Sequence, residues 1–102
     1  MVAKIIIKRE ISEGNEGEFF SFMKELRSNA ILQDGYISGE TLINADKKNM
    51  VLVISKWKSI EDWENWKNNS KRNEIDKKLS KLQDNPTVYE PYVFGRYKAA
   101  DE

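Results

Sequence analysis

Apolar positions along this chain recur with two different periods, and the changes of period mark out its elements. Val2 to Arg9 is centred on the unbroken run Ile5, Ile6 and Ile7, which predicts a strand carrying apolar side chains on both faces. After a turn at Glu13-Gly14 the spacing becomes helical: Phe19, Phe22, Met23, Leu26 and Ala30 share one side, Asn15 is placed to cap, and Glu18 three residues on completes a capping-box pattern. Asp34-Gly35 ends that helix. Tyr36 to Asn44 alternates well enough for a half-exposed second strand, and the polar turn Ala45 to Asn49 joins it to a third. Met50 to Ile54 is the longest apolar run, five residues rich in β-branched side chains, and predicts a strand buried on both faces and closed by Trp57.

Ser59 can cap the next helix by accepting from the amide of Glu61 or Asp62, and Asp62 sits where an acidic capping-box partner would. Ile60, Trp63 and Trp66 then fall on one face. Lys67-Asn68-Asn69 interrupts the pattern, and Ser70 is placed to cap a further helical stretch striped by Ile75, Leu79 and Leu82. Asn85-Pro86 stops it. Thr87 to Tyr97 predicts a last strand, broken or bulged at Pro91 or lying at a sheet edge, because proline cannot donate to a ladder.

Strand, helix, strand, strand, helix in two pieces, strand is the order of an α+β, ferredoxin-like βαββαβ unit with both helices on one face of a four-stranded antiparallel sheet. Residues 1–97 read as a single domain and 98–102 as a frayed tail. A single helical layer leaves the other sheet face bare. Strands expected to be apolar on both sides therefore imply a homodimer packed sheet to sheet, unless loops or the C-terminal segment cover that face within one protomer.

Composition narrows the chemistry. The 102 residues include no cysteine and no histidine, which removes the thiolate nucleophile, the commonest general base and the usual haem and transition-metal ligands. Seventeen basic residues balance seventeen acidic ones, so nothing draws the chain to nucleic acid or to an anionic membrane, and the lysine-rich run from Lys67 to Lys81 is interleaved with Asn, Asp and Glu as a solvated face would be. The short hydrophobic run near the N-terminus is too brief for a signal peptide or a membrane span, which leads to the expectation of a soluble cytoplasmic protein. All three tryptophans lie between Trp57 and Trp66. Two large aromatics on one helix face serve either as core or as a surface for a flat ligand, and Asp62 serves either as a helix cap or as a base.

The chain resembles the antibiotic biosynthesis monooxygenase family, small dimeric α+β barrels built of ferredoxin-like protomers. The likeness rests on Gly35-Tyr36-Ile37-Ser38-Gly39-Glu40-Thr41-Leu42, on Leu52-Val53-Ile54-Ser55-Lys56-Trp57-Lys58-Ser59 leading into the helix, and on Trp63, Trp66, Ser70 and Arg72. The haem-degrading branch of that family shares the spacing of Trp57, Trp63 and Trp66, but its axial histidine and first-strand asparagine are here Asp76 and Ile7, so haem degradation is disfavoured. The resemblance instead implies a cofactor-independent monooxygenase acting on a phenol, anthrone or hydroquinone, with no cofactor or metal. It implies Trp66 and Asp62 as catalytic residues and Trp63, Phe22, Met23, Tyr36, Asn65 and Arg72 as substrate-binding residues, with Tyr89 a further polar candidate. A non-catalytic, dimeric, small-ligand-binding or stress-related member of the family is the alternative.

Overall fold

The computed structural model describes residues 1–95. Its elements run β1 (Ala3–Glu10), α1 (Glu16–Ala30), β2 (Tyr36–Ile43), β3 (Met50–Trp57), α2 (Ile60–Lys67), α3 (Ser70–Ser80) and β4 (Val88–Val93). The strands form one antiparallel sheet in the order β2-β3-β1-β4, the ferredoxin-like topology expected from the order of elements. β4 ends at Val93, short of the expected strand end at Tyr97; residues 96–97 of that expected strand and the expected tail at 98–102 lie outside the described residues.

Parity along β1 decides what each strand face carries. Ala3, Ile5, Ile7 and Arg9 are buried against the helices, while Lys4 and Lys8 flank Ile6 on the outer face. The expectation of a first strand apolar on both sides is thus corrected: only Ile6 is apolar outward, because successive side chains must alternate. In β3, Val51, Ser55 and Trp57 are buried inward, and Leu52, Ile54 and Lys56 face out half-covered. The third strand therefore carries an apolar stretch on both sides and β1 largely does not.

Inside, two clusters fill the space between sheet and helices. One gathers Ile5, Ile7, Trp57, Trp63 and Trp66 with Ala3 and Ala30; the other gathers Ile11, Phe19, Val51, Ile75 and Leu79. The helix ends agree only in part with the expected caps. Ser59 Oγ accepts from the Asp62 amide at 3.1 Å, as its position predicts. Asn15 precedes α1 without a side-chain cap bond, its amide instead donating to Ser12 Oγ. Asn69, one residue before the expected Ser70, caps α3 by accepting from the amides of Lys71 and Arg72. Its extended backbone (φ −68°, ψ 133°) aims the carboxamide at those amides.

Pro91 lies in β4 opposite Ile5, and β4 pairs on one side only, so the missing donor falls at a sheet edge and the strand runs through it without a register shift. No helix among the described residues is long and apolar enough to cross a membrane.

Candidate functional site

A narrow cavity of about 70 Å³, open on one side, lies between the inner face of the sheet and the helices. Its floor is β1 and β3, through Ile7, Arg9, Val53, Ser55 and Trp57. Helix α2 brings Trp63 and Trp66, α3 brings Arg72, α1 brings Met23, Leu26, Arg27 and Ala30, and β2 closes the side with Tyr36, Gly39, Glu40 and Thr41.

A register shift between Tyr36 and Ser38 makes the β2 wall. Tyr36 opposes Trp57 and Ser38 opposes the next residue back, Lys56, so Ile37 is an extra residue. Tyr36 and Gly39, three apart, would face opposite ways in a regular strand; the irregularity puts both toward the cavity. The Tyr36 ring then folds over Gly39, where a Cβ would come within 2.7 Å of its hydroxyl. From Tyr36 an aromatic series runs across the sheet. Tyr36 meets Trp57 edge-on at 5.3 Å, Trp57 lies 6.1 Å from Trp63, and Trp63 lies 5.9 Å from Tyr89. Such inclined rings give a rigid, weakly polar wall. Trp57 spends its indole N–H on Ser55 Oγ at 3.1 Å, which fixes the ring.

Two buried guanidiniums interrupt this apolar wall. Arg72, 3% exposed, stacks between the faces of Trp63 and Tyr89, with its central carbon 5.6 and 5.3 Å from the ring centres. It donates to the Tyr89 hydroxyl at 2.5 Å and, at 3.4 Å, to the Lys67 carbonyl. Among the described residues no carboxylate lies within ion-pair distance of it. Arg9, 1% exposed, enters from β1. No group of three or more His, Cys, Asp or Glu residues able to hold a metal ion occurs among the described residues.

Of the residues expected from the sequence, the structure brings Trp66, Trp63, Met23, Tyr36 and Arg72 to this cavity. It does not bring Asp62, Asn65 or Phe22. The Asp62 carboxylate accepts from Ser59 Oγ at 3.0 Å and rests on Gly35, whose φ of +81° leaves it no side chain to interfere. Asp62 and Asn65 line a separate pocket of about 130 Å³ with Gln33, Asp34 and Trp66. Phe22 packs on the second core cluster under Lys78. Among the lining residues missed are Arg9, Trp57, Ser55, Arg27, Gly39, Glu40 and Thr41. Strand parity is the signal for Arg9, Ser55 and Trp57, since each shares parity with the buried apolar residues of its own strand.

Several solved structures share this fold. A conserved protein of Methanosarcina mazei superposes with a TM-score of 0.85 at 17% identity over 90% of this chain and 91% of that one. SnoaB, a cofactor-independent oxygenase of Streptomyces nogalater, gives 0.82 at 14% identity over 94% and 95%. A protein of Mycobacterium tuberculosis gives 0.84 at 9% identity over 95% and 98%. At such identities the likeness is one of fold. No protein of curated function matches the sequence. The model of the antibiotic biosynthesis monooxygenase family, however, matches residues 2–77, from β1 through both core clusters and the cavity wall to α3, and the chain belongs to that family.

Proposed function

We propose that this protein is a cofactor-independent monooxygenase whose substrate is a small, electron-rich aromatic of the phenol, anthrone or hydroquinone type. The observation that carries this is Arg72, a buried positive charge with no carboxylate of the described residues in reach, held against the tryptophan wall of the cavity. A buried cation favours the ionised form of a phenol or enol placed beside it. The ring lies against Trp66 and Trp63, and its oxygen faces Arg72.

Lowering the substrate's pKa lets its proton pass to water at the open mouth. The resulting anion is the reductant. It gives one electron to dioxygen, the radical pair combines at the ring carbon, and the hydroperoxide collapses to a carbonyl. For an anthrone-type carbon the balance is a CH2 and O2 giving C=O and H2O, so one oxygen atom stays and the other leaves as water. Apolar walls from Ile7, Val53 and Leu26 keep bulk water from the intermediate.

We also infer a homodimer through the outer sheet face, where Ile6, Leu42, Leu52, Ile54, Val88 and Tyr92 lie interleaved with Lys4, Lys8 and Glu90, the last two paired at 3.4 Å.

Oxygen uptake with substituted phenols, anthrones and hydroquinones tests the enzyme. Uptake should depend on the protein, fall at least tenfold in Trp66→Phe and Arg72→Met, and persist in Asp62→Ala. No protein-dependent uptake on any of these would leave the non-catalytic ligand-binding alternative, which the placement of Asp62 outside the cavity favours.

A further inference from the structure

Four aromatic rings stand in unbroken series across the sheet, and three of them border the cavity. Tyr36, Trp57 and Trp63 line it, while Tyr89, beyond Trp63, borders an open groove with Gln83 and Thr87. Successive ring centres are 5.3, 6.1 and 5.9 Å apart, close enough for each ring to touch the next. In a chain without cysteine, indole and phenol are the side chains that give up one electron most readily. Electrons also cross touching rings much faster than they cross the same width of aliphatic core.

Charge gives the series a direction. The central carbon of Arg72 lies 5.6 and 5.3 Å from the centres of Trp63 and Tyr89, and Lys67 Nζ lies 4.7 Å from that of Tyr89. A cation attracted to the face of an electron-rich ring repels the positive charge that the ring gains on losing an electron. The Tyr89 oxygen also accepts from Arg72, and a guanidinium cannot take up the phenol proton. At the other end, no Lys or Arg among the described residues stacks on Trp57 or Tyr36. Arg27 and Glu40 are exposed there with opposite charges, and the Arg27 guanidinium is bonded to the Gly39 carbonyl at 3.1 Å. Tyr36 is only half-buried, and its hydroxyl bonds to no described residue and is not shut off from water. Its proton therefore has somewhere to go.

We propose that Trp63, Trp57 and Tyr36 form a relay that carries one-electron oxidising equivalents out of the cavity to Tyr36. The relay rests on the proposed function for the source of the oxidant. Even cleavage of the O–O bond in a substrate hydroperoxide gives an alkoxyl and a hydroxyl radical. The alkoxyl radical takes one electron from Trp63 and one proton from water and becomes an alcohol; the hydroxyl radical is reduced to water in the same way. Trp63 is left a radical cation, and its electron is replaced from Trp57 and then from Tyr36, whose phenol proton leaves to water. One indole radical cation and one phenol thus give one indole, one phenoxyl radical and one proton. A hydrogen atom from a soluble thiol returns the phenoxyl to phenol. The tryptophans of the cavity wall are thereby spared permanent oxidation.

The test uses the protein without substrate. Pulsed near-ultraviolet light absorbed by tryptophan ejects an electron, a cobalt(III) ammine traps it, and transient absorption follows the tryptophanyl and tyrosyl radicals. The tyrosyl band should rise as the tryptophanyl band decays, at a rate independent of protein concentration. Tyr36→Phe and Trp57→Phe should both lose that rise and prolong the tryptophanyl radical, whereas Tyr89→Phe should keep it, with circular dichroism showing each folded. Tyr36→Phe removes only a hydroxyl, so it decides the matter even if Trp57→Phe does not fold. Absence of the rise in the native chain, an undiminished rise in Tyr36→Phe, or its loss in Tyr89→Phe would each overturn the relay. During turnover, Tyr36→Phe should accumulate more oxidised Trp63 per oxygen consumed than the native chain, as read by peptide mass spectrometry; equal accumulation would overturn the protective role. Because light supplies the oxidised tryptophan, a relay seen without protein-dependent oxygen uptake sinks the monooxygenase alone. Oxygen uptake without the rise sinks the relay alone.

Discussion

Replacing Gly35 by alanine should be among the most damaging single-methyl changes in the protein. Gly35 links α1 to β2 with φ +81°, a conformation that costs an L-residue about 1–2 kcal/mol. A Cβ there would lie 2.1 Å from Asp62 Oδ2, 2.3 Å from its Cγ and 2.6 Å from its Cβ. Turning the carboxylate aside removes the first clash and sacrifices the Ser59 Oγ to Asp62 bond, about 0.5–1.5 kcal/mol. The contact with Asp62 Cβ remains and forces the start of α2 away from β2. The Lys58 amide, bonded to the Gly35 carbonyl at 2.8 Å, moves with it. Together these effects come to about 2–4 kcal/mol, a fall in Tm on the order of 15 °C for a domain of this size. Thermal and urea unfolding of Gly35→Ala, alone and combined with Asp62→Gly, measures it. In the Asp62→Gly background only the backbone cost of about 1–2 kcal/mol should remain. A Gly35→Ala loss below about 0.5 kcal/mol, or an equal loss in both backgrounds, would refute the contact between Gly35 and Asp62. Retained oxygen uptake by the Asp62→Gly protein would show that the carboxylate works as a latch between α2 and β2.

Three further outcomes follow from single contacts. Ile54→Lys puts a charge at the centre of the outer sheet face, opposite Ile6 and Glu40, and should shift the light-scattering mass from twice the 11.9 kDa chain to the chain itself; an unchanged mass would place any dimer contact elsewhere. Ser59→Ala removes the side-chain cap of α2 and should cost about 0.5–2 kcal/mol in urea unfolding, with no cost if the Asp62 amide finds water as readily. Ile75→Ala empties a fully buried position of the second core cluster and should cost about 2–5 kcal/mol, while ligand binding in the folded fraction stays close to native because Ile75 does not line the cavity.

The architecture was legible because it depends on period and punctuation. Phe19, Ile75 and Leu79 recur at helical spacing and all prove buried, and Ser59 stands where a cap must stand. Side chains whose placement depends on two elements meeting were less legible. Asp62 sits one turn before Trp66 on α2, and helical geometry alone put the two together. What separates them is Gly35, whose bare backbone receives the carboxylate from another part of the chain. Tyr36 and Gly39 share a face only because of a register shift that no local rule demands.

Arg9 is a different case, since its burial follows from a rule available at the outset. In Ala3-Lys4-Ile5-Ile6-Ile7-Lys8-Arg9 the isoleucine triplet suggests two apolar faces, but the lysines at 4 and 8 share one parity and so can lie only outward. That leaves Arg9 on the side of Ile5 and Ile7, a cation on the strand's inward face. A charge in that position survives only if something pairs with it. Gln83, Thr87 and Asp76 gather on Nη1, while Nε and Nη2 stay buried without a partner among the described residues. Strand parity alone therefore places a charge in the core beside Ile5 and Ile7, well before the tryptophan-bearing stretch of the chain.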